Sequence, residues 1–187
     1  MALEIEAKFR VGSHGPIRER LAAIGARFLE RVLERNEILD RPDAELQRRG
    51  CGLRVREKID ENGESVGATV TYKGPRRPGP LKSREEIETE IDDAEATRRI
   101  FAGLGFISVL SYEKRRESWE IDGCRVELDE PPHIGLFVEI EGPDEPAIRA
   151  VQERLGLESS DMEPESYGSM LMAHCAREGI QDRTLRL

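Results

Sequence analysis

The stretch Glu4-Ile5-Glu6-Ala7-Lys8-Phe9 decides the fold of this chain, because charged and apolar residues alternate in it with a period of two. Side chains of a β-strand point to opposite faces in turn, so two carboxylates and an ammonium share one face of this predicted strand and three apolar side chains share the other. In an ordinary half-buried sheet the apolar face is the core and the charged face meets water. For a single strand, a charged face in contact with water is the favoured arrangement. A charged interior is favoured only if the same pattern recurs in other strands.

The same alternation returns along the rest of the chain. Turn residues and prolines separate the alternating segments, and apolar stripes at helical spacing lie between some of them. A helix is predicted after the N-cap candidates Asp92 and Asp93, with Ile100, Phe101 and Leu104 as its apolar stripe. The further strands are predicted at residues 32–40, 53–58, 68–73, 84–91, 109–121, 125–129 and 136–141.

About eight strands with mostly short connections and interspersed helices predict an α+β fold. We expect an eight-stranded antiparallel β-barrel, a tunnel with a polar, charged interior that is flanked by helices. In this arrangement the apolar faces pack outward against the helices and the charged faces line the hollow. Residues 1–178 are predicted to form this single domain, and residues 179–187 a short, polar tail that frays.

Composition restricts the partners of such a protein. A formal net charge of -9 without a basic run argues against nucleic acid and anionic membranes, which leaves small molecules as the expected partners. No apolar run approaches the roughly 20 residues of a membrane span, so a cytoplasmic protein is expected. The oligomeric state is open, a homodimer included.

The charged faces, taken together, indicate a chemistry. Burying many unpaired charges is prohibitive, so the tunnel side chains are expected to pair and also to bind a charged guest. Arginine and lysine suit phosphate oxygens, whereas clustered carboxylates are ligands for Mg²⁺ or Mn²⁺. The basic set comprises Lys8, Arg54, Arg56, Lys73, Arg84, Lys114 and Arg116, and the acidic set comprises Glu4, Glu6, Glu86, Glu88, Glu127, Asp129, Glu139 and Glu141.

These motifs, in this order, resemble the CYTH family, also called triphosphate tunnel metalloenzymes. That family includes class IV adenylate cyclases and thiamine or inorganic triphosphatases. The similarity spans nearly the whole chain, and the ordered set is far more specific than its first triplet alone. The matching motifs are Glu4-x-Glu6-x-Lys8, Leu53-Arg54-Val55-Arg56, Thr71-Tyr72-Lys73-Gly74, Arg84-Glu85-Glu86-Ile87-Glu88, Lys114-x-Arg116, Val126-Glu127-Leu128-Asp129 and Phe137-Val138-Glu139-Ile140-Glu141.

The resemblance also implies roles for individual residues. Glu4, Glu6 and Lys8 would be catalytic, and Glu86, Glu88 and Glu127 would balance charge or orient the substrate. The implied metal ligands are Glu4, Glu6, Glu139 and Glu141, with Asp129 as a further candidate, and the implied cofactor is Mg²⁺ or Mn²⁺. The triphosphate would be held by Lys8, Arg54, Arg56, Lys73, Arg84, Lys114 and Arg116.

Three functions stay open at this point. Chain length and the segment from Lys82 to Glu88 are most similar to class IV adenylate cyclases, which convert ATP to cyclic AMP and pyrophosphate. The second function is a triphosphatase acting on inorganic or thiamine triphosphate. The third is a module that binds polyphosphate or a nucleotide without turnover, which would need the cations but not the metal-binding carboxylates.

Overall fold

Eight strands form one closed ring in the computed structural model, which describes residues 2–187. The order around the ring is β2-β3-β4-β5-β1-β8-β7-β6, every neighbouring pair is antiparallel, and β6 pairs with β2 to close it. The predicted α+β class and eight-stranded tunnel are therefore confirmed. The strands are β1 (Ala2–Val11), β2 (Arg27–Asp40), β3 (Gly52–Ile59), β4 (Ser65–Lys73), β5 (Lys82–Glu90), β6 (Ile107–Ile121), β7 (Cys124–Glu130) and β8 (Leu136–Glu141).

Helices flank the ring, and three of them begin at side-chain caps. The carboxylates of Asp93 and Asp144 and the hydroxyl of Ser166 each accept a hydrogen bond from a backbone N–H three residues later. Within residues 2–187, none of the helices has both the length and the apolar character needed to cross a bilayer. They are α1 (Gly15–Ala23), α2 (Glu45–Arg48), α3 (Ala94–Gly103), α4 (Glu145–Leu155) and α5 (Tyr167–Glu178), with a 3₁₀ turn at Ser159–Asp161.

The apolar core lies outside the ring, between strands and helices. Phe9 and its neighbour Ala7 point outward from β1 and pack in one buried cluster with Leu21 of α1 and with Ile148 and Leu155 of α4. The driving force is removal of this apolar surface from water, about 25 cal/mol per Å². Because the outward face is apolar, the alternate residues of β1 must face the hollow.

The second strand begins earlier than its sequence pattern indicates. Residues 32–40 carry the predicted alternation, but β2 starts at Arg27. The extension is paired with the long strand β6, in which Glu120 lies opposite Arg27. Backbone pairing with a long neighbour thus extends the strand beyond the residues whose pattern predicts it.

The end of the chain was predicted to fray, but part of it is ordered against the sheet. Thr184–Leu185 forms a ninth short strand, β9, parallel to β6, and Leu185 is buried. Strand β7 pairs with β6 only from Arg115 onward, so the preceding part of that β6 edge is available to β9. The division of the chain into a domain and a tail stays a prediction.

Candidate active site

The hollow of the ring is a cavity of about 1340 Å³ that is lined by many charged side chains and by an apolar group. Its size suits a ligand of several hundred daltons. Of the predicted site residues, Asp129 lies outside the lining, fully buried behind the side chains that surround the hollow. The predicted residues that line the cavity together are Glu4, Glu6, Lys8, Arg54, Arg56, Lys73, Arg84, Glu86, Glu88, Lys114, Arg116, Glu127, Glu139 and Glu141.

Three carboxylates converge on one side of the cavity, on β7 and β8. Oxygens of Glu127, Asp129 and Glu139 lie within 4.8 Å of one another. Arg116 of β6 reaches all three: its Nη2 is 2.6 Å from Asp129 and 2.7 Å from Glu139, and its Nη1 is paired with Glu127. We call these three acids and Arg116 the acid wall.

The acid wall holds more negative than positive charge. Burial raises the pKa of Glu127 to about 7 even though Arg116 acts against it. Burial also acts to raise the pKa of Asp129, but Arg116 and Lys114 lower it below its ordinary value. A buried excess of carboxylate oxygens fits a hard divalent cation such as Mg²⁺ or Mn²⁺. Two of the predicted metal ligands, Asp129 and Glu139, are in this cluster, together with Glu127.

The other predicted metal ligands lie on β1 and at the end of β8. Glu6 is ion-paired with Lys82, a cation that the sequence analysis did not assign to the site. Burial and a hydrogen bond to Glu86 raise the pKa of Glu4 to about 7. Burial raises the pKa of Glu141, and the nearby charges of Glu4 and Glu6 add to the effect. These acids form a second carboxylate group, in which Glu6 is paired with Lys82 and Glu4 lies 3.7 Å from Lys73 Nζ.

The opposite side of the ring carries cations with unused donors. Arg54 on β3 donates from Nη2 to Thr71 Oγ1 at 3.0 Å, and Lys73 on β4 pairs with Glu86. Among residues 2–187, the buried Nε atoms of Arg54 and of Arg84 on β5 have no hydrogen-bond partner. We call Arg54, Lys73 and Arg84 the donor wall. Buried N–H groups without partners are costly, so this wall fits an anionic ligand that accepts from them.

One buried acid of the site was missed by the sequence analysis. Glu34 on β2 is fully buried and lies 2.8 Å from Arg56 Nη1, 3.2 Å from Lys114 Nζ and 3.8 Å from Arg116 Nε. Burial acts to raise its pKa, but the three cations hold the pKa well below its ordinary value. The signal was available, since Glu34 and Asn36 alternate with the outward-facing Arg35 in a strand that was recognised.

The first turns of helix α5 line part of the cavity. Tyr167, the first residue of α5, donates from its hydroxyl to Asp129 Oδ2 at 2.9 Å. The Nζ of Lys8 lies 4.2 Å from the centre of the Tyr167 ring and donates to the backbone carbonyl of Glu165. Burial lowers the pKa of Lys8 to about 8, although Glu139 acts to raise it. Lys8 is thus held by the start of α5 as well as by Glu139 of the acid wall, 3.9 Å away.

The cavity also has an apolar part next to the donor wall. Ile38, Leu110 and Met172 line the cavity and belong to one apolar cluster. Ile38 on β2 lies directly opposite Arg54 on β3. The cavity can therefore accept an uncharged organic group beside the cations.

Comparisons with known proteins agree with this geometry. The family model of the CYTH domain matches residues 2–167. The protein named "Putative adenylate cyclase MJ0240" of Methanocaldococcus jannaschii is 32% identical over 139 residues, which are 74% of this chain and 76% of that protein.

Solved structures share the fold. The PH1819 protein of Pyrococcus horikoshii OT3 has a TM-score of 0.78 and 28% identity, over 91% of this chain and 99% of that one. HpAC1 of Hippeastrum, for which a dominant triphosphatase activity is reported, has a TM-score of 0.67 and 19% identity, over 94% of this chain and 96% of that one. At that identity the second likeness shows the fold alone.

Proposed function

The chain belongs to the CYTH family, and on that premise we propose that it is a metal-dependent enzyme that transfers a phosphoryl or nucleotidyl group from a small-molecule triphosphate. The observation that carries the proposal is that the acid wall and the donor wall lie on opposite sides of one cavity. The acid wall has a carboxylate cluster on β7 and β8, and the donor wall has arginines with unused buried donors on β3 and β5. A ligand that is both anionic and metal-bound satisfies both walls at once.

Each wall has a separate task in this proposal. Glu127, Asp129 and Glu139 would hold Mg²⁺ or Mn²⁺, with Glu4, Glu6 and Glu141 as further ligands. Such a cation supplies polarisation at phosphorus and offsets charge on the leaving oxygen. Arg54, Lys73 and Arg84 would bind the phosphate oxygens, and α5 would exclude water from the part of the cavity that it lines.

We favour ATP as the substrate and cyclic AMP and pyrophosphate as the products. In that reaction the ribose 3′-hydroxyl attacks the α-phosphorus, forming a new P–O bond as the bond to the pyrophosphate oxygen breaks. The relative from Methanocaldococcus jannaschii bears the name of that activity. The apolar cluster of Ile38, Leu110 and Met172 supports a substrate with an organic group, because bare inorganic triphosphate would leave it without a partner.

A triphosphatase is the second candidate, because the two walls bind a triphosphate without specifying the nucleophile. HpAC1, which shares the fold, is reported to have a dominant triphosphatase activity. In this reaction water attacks the terminal phosphorus and the bond to the bridging oxygen breaks, which gives orthophosphate and the remaining diphosphate. The same two walls serve both reactions, which differ in the nucleophile and in the position of the substrate along the tunnel.

The test is incubation of the protein with ATP, inorganic triphosphate or thiamine triphosphate, each with Mg²⁺ or Mn²⁺, followed by chromatography of the products. We expect cyclic AMP and pyrophosphate from ATP. Orthophosphate would instead indicate a triphosphatase, and binding without product would indicate a non-catalytic module. A parallel series with excess EDTA should give no product, and unchanged turnover there would contradict the metal-dependent proposal.

A further inference from the structure

Glu34 acts on the tunnel cations through its charge and not through directed hydrogen bonds. Both of its oxygens lie within ion-pair distance of cations, at 2.8 Å from Arg56 and 3.2 Å from Lys114. Within residues 2–187, however, neither oxygen has a hydrogen-bond partner. An ion pair without hydrogen-bond alignment still gives the full Coulomb attraction, which is strong where water is excluded.

The cation that depends most on Glu34 is Arg56. Its other close partner is neutral: Arg56 Nε donates to the Asn36 side-chain oxygen at 2.8 Å. Lys114, by contrast, also has Asp129 at 3.0 Å, and Arg116 has all three acids of the acid wall. Removing the charge of Glu34 would therefore leave Arg56 without its close carboxylate partner while the other two cations keep theirs.

The place of Arg56 gives this pair a consequence for binding. Both side chains belong to the cavity lining, but that of Arg56 is 13% exposed and that of Glu34 is 0% exposed. A ligand in the cavity therefore has more access to Arg56 than to the carboxylate of Glu34. A phosphate oxygen bound to Arg56 and the Glu34 carboxylate would compete for the same positive charge.

We propose that Glu34 is a positioning residue, a built-in counter-ion that limits the positive charge that Arg56 and Lys114 present to the cavity. It thereby sets how tightly the tunnel holds a phosphate anion and how readily the anionic product leaves. The inference rests on the proposed function, since it concerns the affinity of the same site for a triphosphate.

The test is the E34Q variant, which removes the charge but keeps the shape of the side chain. Binding of inorganic triphosphate is measured by isothermal titration calorimetry, with EDTA and separately with Mg²⁺. We expect E34Q to bind about tenfold tighter than the wild-type protein, because one buried negative charge close to the cations is lost. A lower KM together with a lower kcat is expected under turnover, because the product is held more tightly.

This result separates the proposal from a purely structural role. A variant that merely disturbs the fold would bind more weakly, so equal or weaker binding by E34Q overturns the inference. The E34D variant keeps the charge and should bind as the wild type does. The matched control is E37Q, the same change on the outer face of β2, where Glu37 pairs with Arg98; its affinity should be unchanged.

A second pair of variants covers the case in which E34Q does not fold. In E34Q/R56Q both members of the pair are neutral, so no uncompensated charge is buried. It should bind triphosphate more tightly than R56Q alone, because Glu34 also faces Lys114; equal or weaker binding overturns the inference. Failure of the wild-type protein to bind triphosphate with or without Mg²⁺ would overturn the proposed function itself, and with it this inference.

Discussion

The two walls of the tunnel use arginine in opposite ways. Arg116 in the acid wall contacts Glu127, Asp129 and Glu139, so its guanidinium is fully engaged inside the protein. Arg84 in the donor wall is partly buried too, yet among residues 2–187 its Nε atom has no hydrogen-bond partner. Both residues alternate with neighbours in a charged strand and would be assigned the same role from sequence. Arg116 therefore stabilises the protein, whereas Arg84 is available to a ligand.

The largest expected effect is on folding, from Arg116→Gln. It leaves three buried carboxylates without their shared cation, which should lower the free energy of unfolding by about 3–5 kcal/mol. Denaturant unfolding followed by circular dichroism measures it. The control is Arg115→Gln, where an exposed pair with Glu130 at 3.3 Å is lost, and a change under about 1 kcal/mol is expected. Equal losses from both changes would mean that the acid wall is not a buried structural network.

The next effect is on turnover, from Glu139→Gln. This change keeps the shape of the side chain but removes one anionic oxygen donor from the acid wall. We expect initial rates to fall about 100-fold at fixed Mg²⁺ and to recover partly at higher Mg²⁺, because metal affinity is reduced. Glu130→Gln, the same change on the outer face of β7, is the control. A Glu139→Gln enzyme with wild-type rates would rule out this acid as a metal ligand.

A smaller effect, on binding alone, is expected from Arg84→Gln in the donor wall. Inorganic triphosphate should bind about tenfold more weakly, because one charge-assisted contact is lost, while the melting temperature stays the same. Calorimetry and thermal unfolding measure the two quantities. The exposed Arg99 of α3 supplies the control, Arg99→Gln. If Arg84→Gln lowered stability as Arg116→Gln does, the distinction between the walls would fail.

The smallest effect is a pH dependence of stability without metal. The pKa values of Glu4 and Glu127 are about 7 in the folded protein, above those of a carboxyl in an unfolded chain. Protonation of these groups therefore favours the folded state, and this contribution is lost as the pH rises through about 7. We expect the melting temperature in EDTA to fall between about pH 5 and about pH 7.5, by the equivalent of about 1 kcal/mol.

Adding Mg²⁺ should reverse this fall, most strongly at the higher pH, where the carboxylates are ionised and able to bind it. The Glu127→Gln variant should show a shallower pH dependence than the wild type. A melting temperature that rises over this pH range in EDTA would contradict the excess of negative charge assigned to the site.

Sequence alternation predicted which side chains face the tunnel, because a strand can place only every second residue on one face. Every predicted site residue except Asp129 lines the cavity, and Asp129 is buried directly behind Arg116. Periodicity did not predict which cations would be neutralised, because that depends on strands distant in the chain. Glu34 shows this well: its partner Arg56 is on the next strand, whereas its partner Lys114 is 80 residues away.

Helix α3 shows a second limit of the sequence pattern. Its predicted stripe includes Ile100 and Leu104, but both are exposed, and Phe101 packs against the strands. Periodicity identifies a helix and its cap at Asp93 correctly, but how far the helix covers the sheet is set by the packing of the whole ring.

By itself, the sequence determined the strand faces, the helix caps and the charged composition of the tunnel, because these follow from local periodicity and local hydrogen bonding. Only the tertiary structure decided that β6 pairs with β2, that the chain end adds a strand, and that one arginine is neutralised while another keeps a spare donor. The physical reason is that closing the ring brings charges from distant strands within a few ångströms, and at that distance the identity of the partner fixes the role of each charge.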